Sequence, residues 1–305
     1  MTENIKAIIN AVSNNDITRA KKAAIVLLKS DTAKSDTAKK DEYFCRQTLA
    51  KLENAPTTLQ LPTNISNFAT MEDVSQTFIR NRYFLTEREE KLYNEIVIAD
   101  KAGKRLAEMK IRHLNATILY GESGTGKTTF GRFLAYQLGI PFLYLNFSGL
   151  ISSLLGQTGN NIKRVFDYAK QQRCVFMLDE IDAIATERHK SVNDVSEMSR
   201  IVIALMQSLD LIENDVIILA ATNRYDVIDK AVKRRFTKSH QVEKLRTDER
   251  LNFGSSYLKD CGYNLPEEEI LNIIGDKEKQ SDIENNIVSY IIKNEAEKLE
   301  KETLS

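Results

Sequence analysis

The sequence predicts an α/β fold: a parallel five-stranded sheet covered on both faces, preceded by a small helical domain and followed by a helical lid. Three observations predict it. Between residues 115 and 243, apolar runs of strand length alternate with segments of helical spacing, and such βαβ alternation requires crossover helices over a mostly parallel sheet. One of these units, 116–138, sets a glycine-rich turn between an apolar run and an amphipathic helix. The flanks, 1–54 and 246–303, have helical periodicity and no strand-like runs.

Residues 1–54 carry three helical stripes: Ile5, Ile8, Ile9 and Val12; Ala20, Ala23, Ala24, Leu27 and Leu28; Phe44, Leu49 and Leu52. They predict a helical domain that either binds a partner or client or only packs. Ser-Asp-Thr-Ala-Lys occurs twice in tandem, at 30–34 and 35–39, as a duplication in a solvated loop would leave it. Residues 55–110 read as linker and leading helix. Pro56, Pro62 and many Thr and Asn make 55–75 the linker. The charged helix from Thr86 to Lys110 has Leu92, Ile96, Ile98 and Leu106 as its apolar positions. The core, 111–245, has expected strands at 115–120, 142–146, 174–178, 215–220 and near 240–243. Ile162, Val165, Phe166 and Ala169 form a core-facing helical stripe within it. Residues 246–305 read as a separate helical lid whose charged end, 294–301, is solvated.

Composition narrows the function classes. The 305 residues are 42% hydrophobic and 28% charged, which suits a soluble globular chain of two or three domains. With 43 basic and 43 acidic residues there is no global attraction to nucleic acid or to a membrane surface. Cys45, Cys174 and Cys261, and His113, His189 and His240, are scattered without metal-ligand spacing. Odd, dispersed cysteines predict reduced thiols and a cytoplasmic location. The first residues lack a signal-peptide core, and the apolar runs fall short of the ~20 residues of a membrane span.

The stretch Gly121-Glu122-Ser123-Gly124-Thr125-Gly126-Lys127-Thr128-Thr129 fits G-x-x-x-x-G-K-[ST], a phosphate-binding loop. Glycines let the backbone wrap closely and aim N–H groups at phosphate oxygens. Lys127 brings a point charge to the β/γ-phosphates, and the Thr128 hydroxyl can ligate Mg²⁺. The apolar run Val175-Phe176-Met177-Leu178 ends in Asp179-Glu180. Two acids at a strand's C-terminal end suit a Mg²⁺-dependent ATPase, with Asp179 toward the metal and Glu180 toward the attacking water. A second apolar strand, Ile217-Ile218-Leu219-Ala220-Ala221-Thr222, ends at Asn223, placed to help hold that water or simply to cap a loop. Arg234 and Arg235 either stabilise charge on a transferred phosphoryl group or form a solvated basic helix end; spacing alone does not separate the two.

Taken together these residues resemble the AAA+ ATPases over about 110–300, two-thirds of the chain. The Walker A loop (121–128), the Walker B strand (175–180, then Ile181-Asp182-Ala183-Ile184), sensor 1 (Asn223) and the second region of homology (222–236) occur in the family's order. Ala-Thr-Asn-Arg-x-Asp-x-x-Asp-x-Ala-x-x-Arg-Arg-Phe is similar to the katanin and spastin type of remodeller, and Tyr-Gly-Glu-Ser-Gly-Thr-Gly-Lys to bacterial or phage AAA ATPases. The resemblance implies a P-loop NTPase that binds ATP and Mg²⁺. It also implies a hexameric homo-oligomer in which Arg234 and Arg235 reach the neighbouring subunit's nucleotide. Gln280-Ser281-Asp282-Ile283 loosely resembles the lid segment where that group lacks a sensor-2 arginine. Two positions depart from the family pattern. Leu154 stands where unfoldases carry a pore aromatic, which weakens the case for threading, and Asp210-Leu211 replaces the usual Asp-Gly before the sensor strand. Three functions follow as expectations: ATP-driven remodelling of a protein partner, a nucleotide-gated switch that licenses a partner protease or nuclease, and, disfavoured by the balanced charge, a nucleic-acid loader.

Overall fold

The computed structural model describes residues 3–13, 20, 23–28, 58–59, 61–153, 158–183, 192–212 and 216–303. Within 1–54, helix α1 covers Glu3–Ser13 and residues 23–28 are helical. The third expected stripe and the tandem repeat lie outside the described residues, as does Leu154.

One mixed sheet of seven strands organises the rest, in the order β1-β2-β4-β5-β6-β3-β7. Five strands run parallel: β3 (Ala116–Tyr120), β4 (Phe142–Asn146), β5 (Val175–Asp179), β6 (Ile217–Thr222) and β7 (Lys238–Gln241). The expectation of a five-stranded sheet is corrected by two short strands that add antiparallel at the β4 edge, β1 (Thr58–Leu59) and β2 (Ala69–Glu72). Both fall in the segment read as linker. Ala69 and Met71 alternate inward, 3% and 2% exposed, and β2 covers the backbone edge that β4 would otherwise leave open. Four residues of alternation are too few to stand out from a Pro-, Thr- and Asn-rich stretch. The polar β7, Lys-Ser-His-Gln, also begins earlier than its composition suggested.

Period-two alternation divides each central strand between two cores. Phe176 and Leu178 of β5, with Ile218 and Ala220 of β6, join one cluster. There they meet Ile162, Val165, Phe166 and Ala169 of α5 (Thr158–Lys170), all fully buried. Val175 and Met177, with Ile217 and Leu219, join the other. On that face lie Phe130, Phe133 and Leu134 of α3 (Lys127–Leu138). Leu92 and Ile96 of α2 (Glu87–Glu108) join them, whereas Ile98, expected to be apolar-facing, is 67% exposed. Thr86 starts α2 with a capping box: its hydroxyl accepts from Glu89 N, and the Glu89 carboxylate accepts from Thr86 N. The short α4 (Phe147–Ser153) follows β4, and α6 (Val192–Asp210) leads to β6.

After the four-residue α7 (Lys230–Lys233) and β7, three helices close the chain: α8 (Thr247–Asp260), α9 (Glu267–Ile274) and α10 (Gln280–Thr303). They enclose their own core of Phe253, Tyr257, Leu258, Ile270, Ile274, Ile283 and Ile287. Phe84, just ahead of α2, packs on that core and ties this unit to the sheet.

Phe166 meets Phe176 edge-on, ring centroids 5.0 Å apart. Phe166→Ala should destabilise the sheet core by about 3–5 kcal/mol, read as a lower urea midpoint. A loss well under that would show the contact to be easily repacked.

Candidate active site

The C-terminal ends of β3, β5 and β6 meet at one point, the place where open α/β sheets bind ligands. Residues 121–129 leave β3 and enter α3. Gly121 has φ +148°, and a Cβ there would lie 2.3 Å from the Val242 carbonyl oxygen. Gly124 has φ +83°, and its Cβ would lie 2.2 Å from Ser281 Oγ. Only glycine fits either position without moving a neighbour. The Thr125 hydroxyl donates to the Glu122 carbonyl at 3.0 Å, which closes the loop on itself.

Lys127 is 8% exposed, and its ammonium donates to the carbonyls of Gly121 and Glu122, at 2.8 and 2.7 Å, and to Asn223 Oδ1 at 2.8 Å. Burial lowers its pKa from 10.5, with Asp179 and Asp182 pulling the other way. The structure thus brings together Lys127 and Asn223, which are 96 positions apart. It also brings together the two expected metal ligands: Thr128 Oγ1 donates to Asp179 Oδ2 at 2.9 Å. A hydroxyl and a carboxylate converging beside a phosphate loop fit Mg²⁺, which takes few protein oxygens and keeps phosphate and water for the rest. Among the described residues there is no cluster of three or more His, Cys, Asp or Glu.

Sequence reasoning missed Tyr144 and Asn146 on β4. The Tyr144 hydroxyl donates to Asp179 Oδ2 at 3.1 Å, and Asn146 Nδ2 donates to that hydroxyl at 3.4 Å. Burial raises the Tyr144 pKa, so it stays a donor. Asp182 and Thr222 were also missed as a pair. The Thr222 hydroxyl donates to Asp182 Oδ1 and accepts from Arg224 N, both at 2.9 Å, which fixes the chain on each side of Asn223. Polar side chains one strand apart in space leave no signal in a single sequence.

Glu180 has φ +55°, a conformation that costs a non-glycine residue about 1–2 kcal/mol. Its N–H donates to Asp179 Oδ1 at 2.9 Å, and the next N–H, of Ile181, donates to the Ala221 carbonyl at 3.1 Å. Those bonds hold the strained turn and leave the Glu180 side chain exposed.

Arg234 and Arg235 are not brought to this site: neither pairs with a residue of 121–129 among the described residues. Arg234 is exposed, while Arg235 pairs with Asp210 at 3.0 Å. The helical unit touches the loop directly. Ser281 N donates to the Gly124 carbonyl at 3.2 Å, and Gln280 exchanges two bonds with the Phe84 backbone, at 3.0 and 3.2 Å. Glu122 lies between Lys244 (2.9 Å) and Lys279 (3.0 Å), which hold its carboxyl below the usual range. Beside Thr129, a cleft of about 500 Å³ opens between sheet and helical unit, lined by apolar Phe78, Ile79 and Tyr257 and by charged Glu72, Arg82, Arg132 and Glu284.

Residues 117–244 match the model of the ATPase family associated with various cellular activities, AAA. This segment is an AAA-family ATPase domain. All the site residues above from Gly121 to Lys244 lie inside the AAA match. An uncharacterized AAA family ATPase, y4kL, of Sinorhizobium fredii is 36% identical over 42% of this chain and 38% of its own. The 26S proteasome regulatory subunit 6A of Saccharomyces cerevisiae is 33% identical over 52% of this chain and 38% of its own. The ATP-dependent zinc metalloprotease FtsH of Lancefieldella parvula is 30% identical over 52% of this chain and 25% of its own. The chain therefore spans well under half the length of these relatives. No helix among the described residues is long and apolar enough to cross a membrane.

Two outcomes follow. Gly121→Ala should abolish binding of a fluorescent ATP analogue and lower the melting temperature, since both its φ and the Val242 carbonyl oppose a side chain; unaltered binding would refute the tight turn. A bound polyanion favours charged Lys127, whereas burial in the free protein disfavours it. Affinity should therefore fall as pH rises through the lowered Lys127 value toward 10.5. Lys127→Arg, charged throughout, should bind more weakly but without that fall in the same titration.

Proposed function

We propose that this chain binds ATP with Mg²⁺ at 121–129 and hydrolyses it, in a hexameric ring that remodels a protein partner. The observation that carries the reading is the meeting of Lys127 with Asn223 and of Thr128 with Asp179. A phosphate loop, a pair of metal-binding oxygens and a polar strand end then face one point. Lys127 would exchange its carbonyl acceptors for β/γ-phosphate oxygens. Thr128 and Asp179 would hold Mg²⁺, which when bound neutralises phosphate charge. Tyr144 keeps the Asp179 carboxylate oriented. Glu180, exposed on its strained turn, takes the proton of the attacking water, and Asn223 orients that water. Arginine from the 234–235 pair of the next subunit meets the developing charge. In the cleft beside Thr129, the apolar side chains Phe78, Ile79 and Tyr257 would take the face of the adenine base, with Glu72, Arg82, Arg132 and Glu284 also in its lining.

A protein partner is supported by relatives named as a proteasome regulatory subunit and an ATP-dependent zinc metalloprotease. A cytoplasmic location belongs to the same reading. The second reading, a nucleotide-gated switch that licenses a partner protease or nuclease, is favoured by the contacts of Ser281 and Lys279 with the loop, through which bound nucleotide would act on the helical unit.

Glu180→Gln decides whether hydrolysis occurs as assigned. The kcat should fall on the order of 10²-fold or more while ATP affinity holds. Turnover at the parent rate would remove Glu180 from the mechanism.

A further inference from the structure

We infer that the two adjacent arginines have different roles: Arg234 is the cation that reaches a neighbouring copy's nucleotide, and Arg235 is a positioning residue, fixed by Asp210, that aims it. This rests on the shared-site reading above and sharpens it.

The two guanidiniums have different surroundings. Arg235 is fully engaged within its own chain. Its Nε and Nη2 fork onto the two oxygens of Asp210 at 3.2 and 3.0 Å, and its Nη1 donates to the Ala231 carbonyl at 2.8 Å. A forked arginine–carboxylate pair is directional and cancels the charge of both partners at a distance. Arg234 is exposed and has no ion pair among the described residues, so its charge stays uncompensated. Stabilising a transferred phosphoryl group requires an uncompensated cation.

A second clamp holds α7 through the neighbouring residue on the other side of Arg234 in the chain, Lys233. Lys233 Nζ lies 4.2 Å from the centroid of the Tyr225 ring, and Tyr225 stacks on Tyr120 at 4.4 Å and 25°. Tyr120 is the last residue of β3, immediately before Gly121. The stack therefore runs from the phosphate loop's own strand to the residue next to Arg234. Asp229 caps α7, accepting from Ala231 N at 2.6 Å. Asp210 is the last residue of α6. Two anchors, one on β3 and one on α6, thus fix a four-residue helix whose next residue is Arg234. The leucine that follows Asp210, Leu211, is 64% exposed on the same edge.

The test mixes subunits of the full chain. Lys127→Ala subunits have no working phosphate loop but can donate an arginine; Arg234→Ala subunits have the reverse defect. Each alone should lose on the order of 10³-fold in kcat or more, and a mixture should regain activity. Asp210→Asn is then added to one partner at a time. On the arginine donor, the Lys127→Ala subunit, it should lower the regained kcat about ten- to a hundredfold without changing the KM for ATP. On the Arg234→Ala subunit it should change nothing, whereas a general folding defect would lower both. In otherwise parental chain, Tyr225→Ala should lower kcat and Tyr225→Phe, which keeps the stack, should restore it. Two results overturn the assignment alone. One is Asp210→Asn acting equally on either subunit or on neither. The other is Arg235→Ala losing as much as Arg234→Ala while Asp210→Asn runs at the parent rate. If the mixture regains nothing, or Arg234→Ala alone runs at the parent rate, the shared-site reading falls and takes the assignment with it.

Discussion

A buried ammonium with carbonyl rather than carboxylate partners sits where the structure converges. Lys127 leaves solvent because α3 begins under the ends of β3 and β6, and three oxygens at 2.7–2.8 Å take the place of water. Neutral dipoles only partly offset lost hydration, which is why burial lowers its pKa. The protein thereby holds a cation in an environment that a polyphosphate would improve. Strand register produces this geometry. Tyr120 pairs with Thr222 across β3 and β6, which brings Gly121 level with Asn223. Leu178 pairs with Ala220 across β5 and β6, which brings Asp179 to the same end. Slipping one parallel pair by a residue would turn every inward side chain outward and separate these groups.

The same loop is read from the helical unit. Gly124 can accept Ser281 against it because it has no side chain, and Glu122 lies between Lys244, where the sheet ends, and Lys279, where α10 approaches. These ion pairs are exposed and individually weak. Their significance is their place: they tie a residue of the phosphate loop both to the end of the sheet and to the start of α10. Gln280, bonded twice to the Phe84 backbone, is the firmer attachment and lies farther from the charge.

Much of this was legible because it is local. The phosphate loop is contiguous, Asp179-Glu180 ends an apolar run, and the Ile162–Ala169 stripe repeats at helical spacing. Those patterns report backbone need or burial, which a single sequence displays. What was not legible depends on partners distant in sequence. Tyr144 and Asn146 look like ordinary strand residues until β4 lies beside β5. β2 is four residues whose strand character comes from pairing with β4. Ile98 is apolar yet faces solvent, because α2 presents Leu92 and Ile96 to the sheet instead.

The adjacent arginines show the same limit at the point where function is decided. In sequence, Arg234 and Arg235 are interchangeable: same chemistry, one position apart, both carried over as catalytic. One turn of chain after a four-residue helix sends them to different surroundings, and the carboxylate at the end of α6 meets only one. Asp210 was noticed in sequence for the residue that follows it, whereas its part in the structure is to pair with Arg235. A pair whose members are 30% and 46% exposed adds little to the stability of a lone subunit. In the shared-site arrangement proposed above, a second copy covering this edge would exclude water from the forked pair, strengthening it and leaving Arg234 as the cation of the two with charge to give.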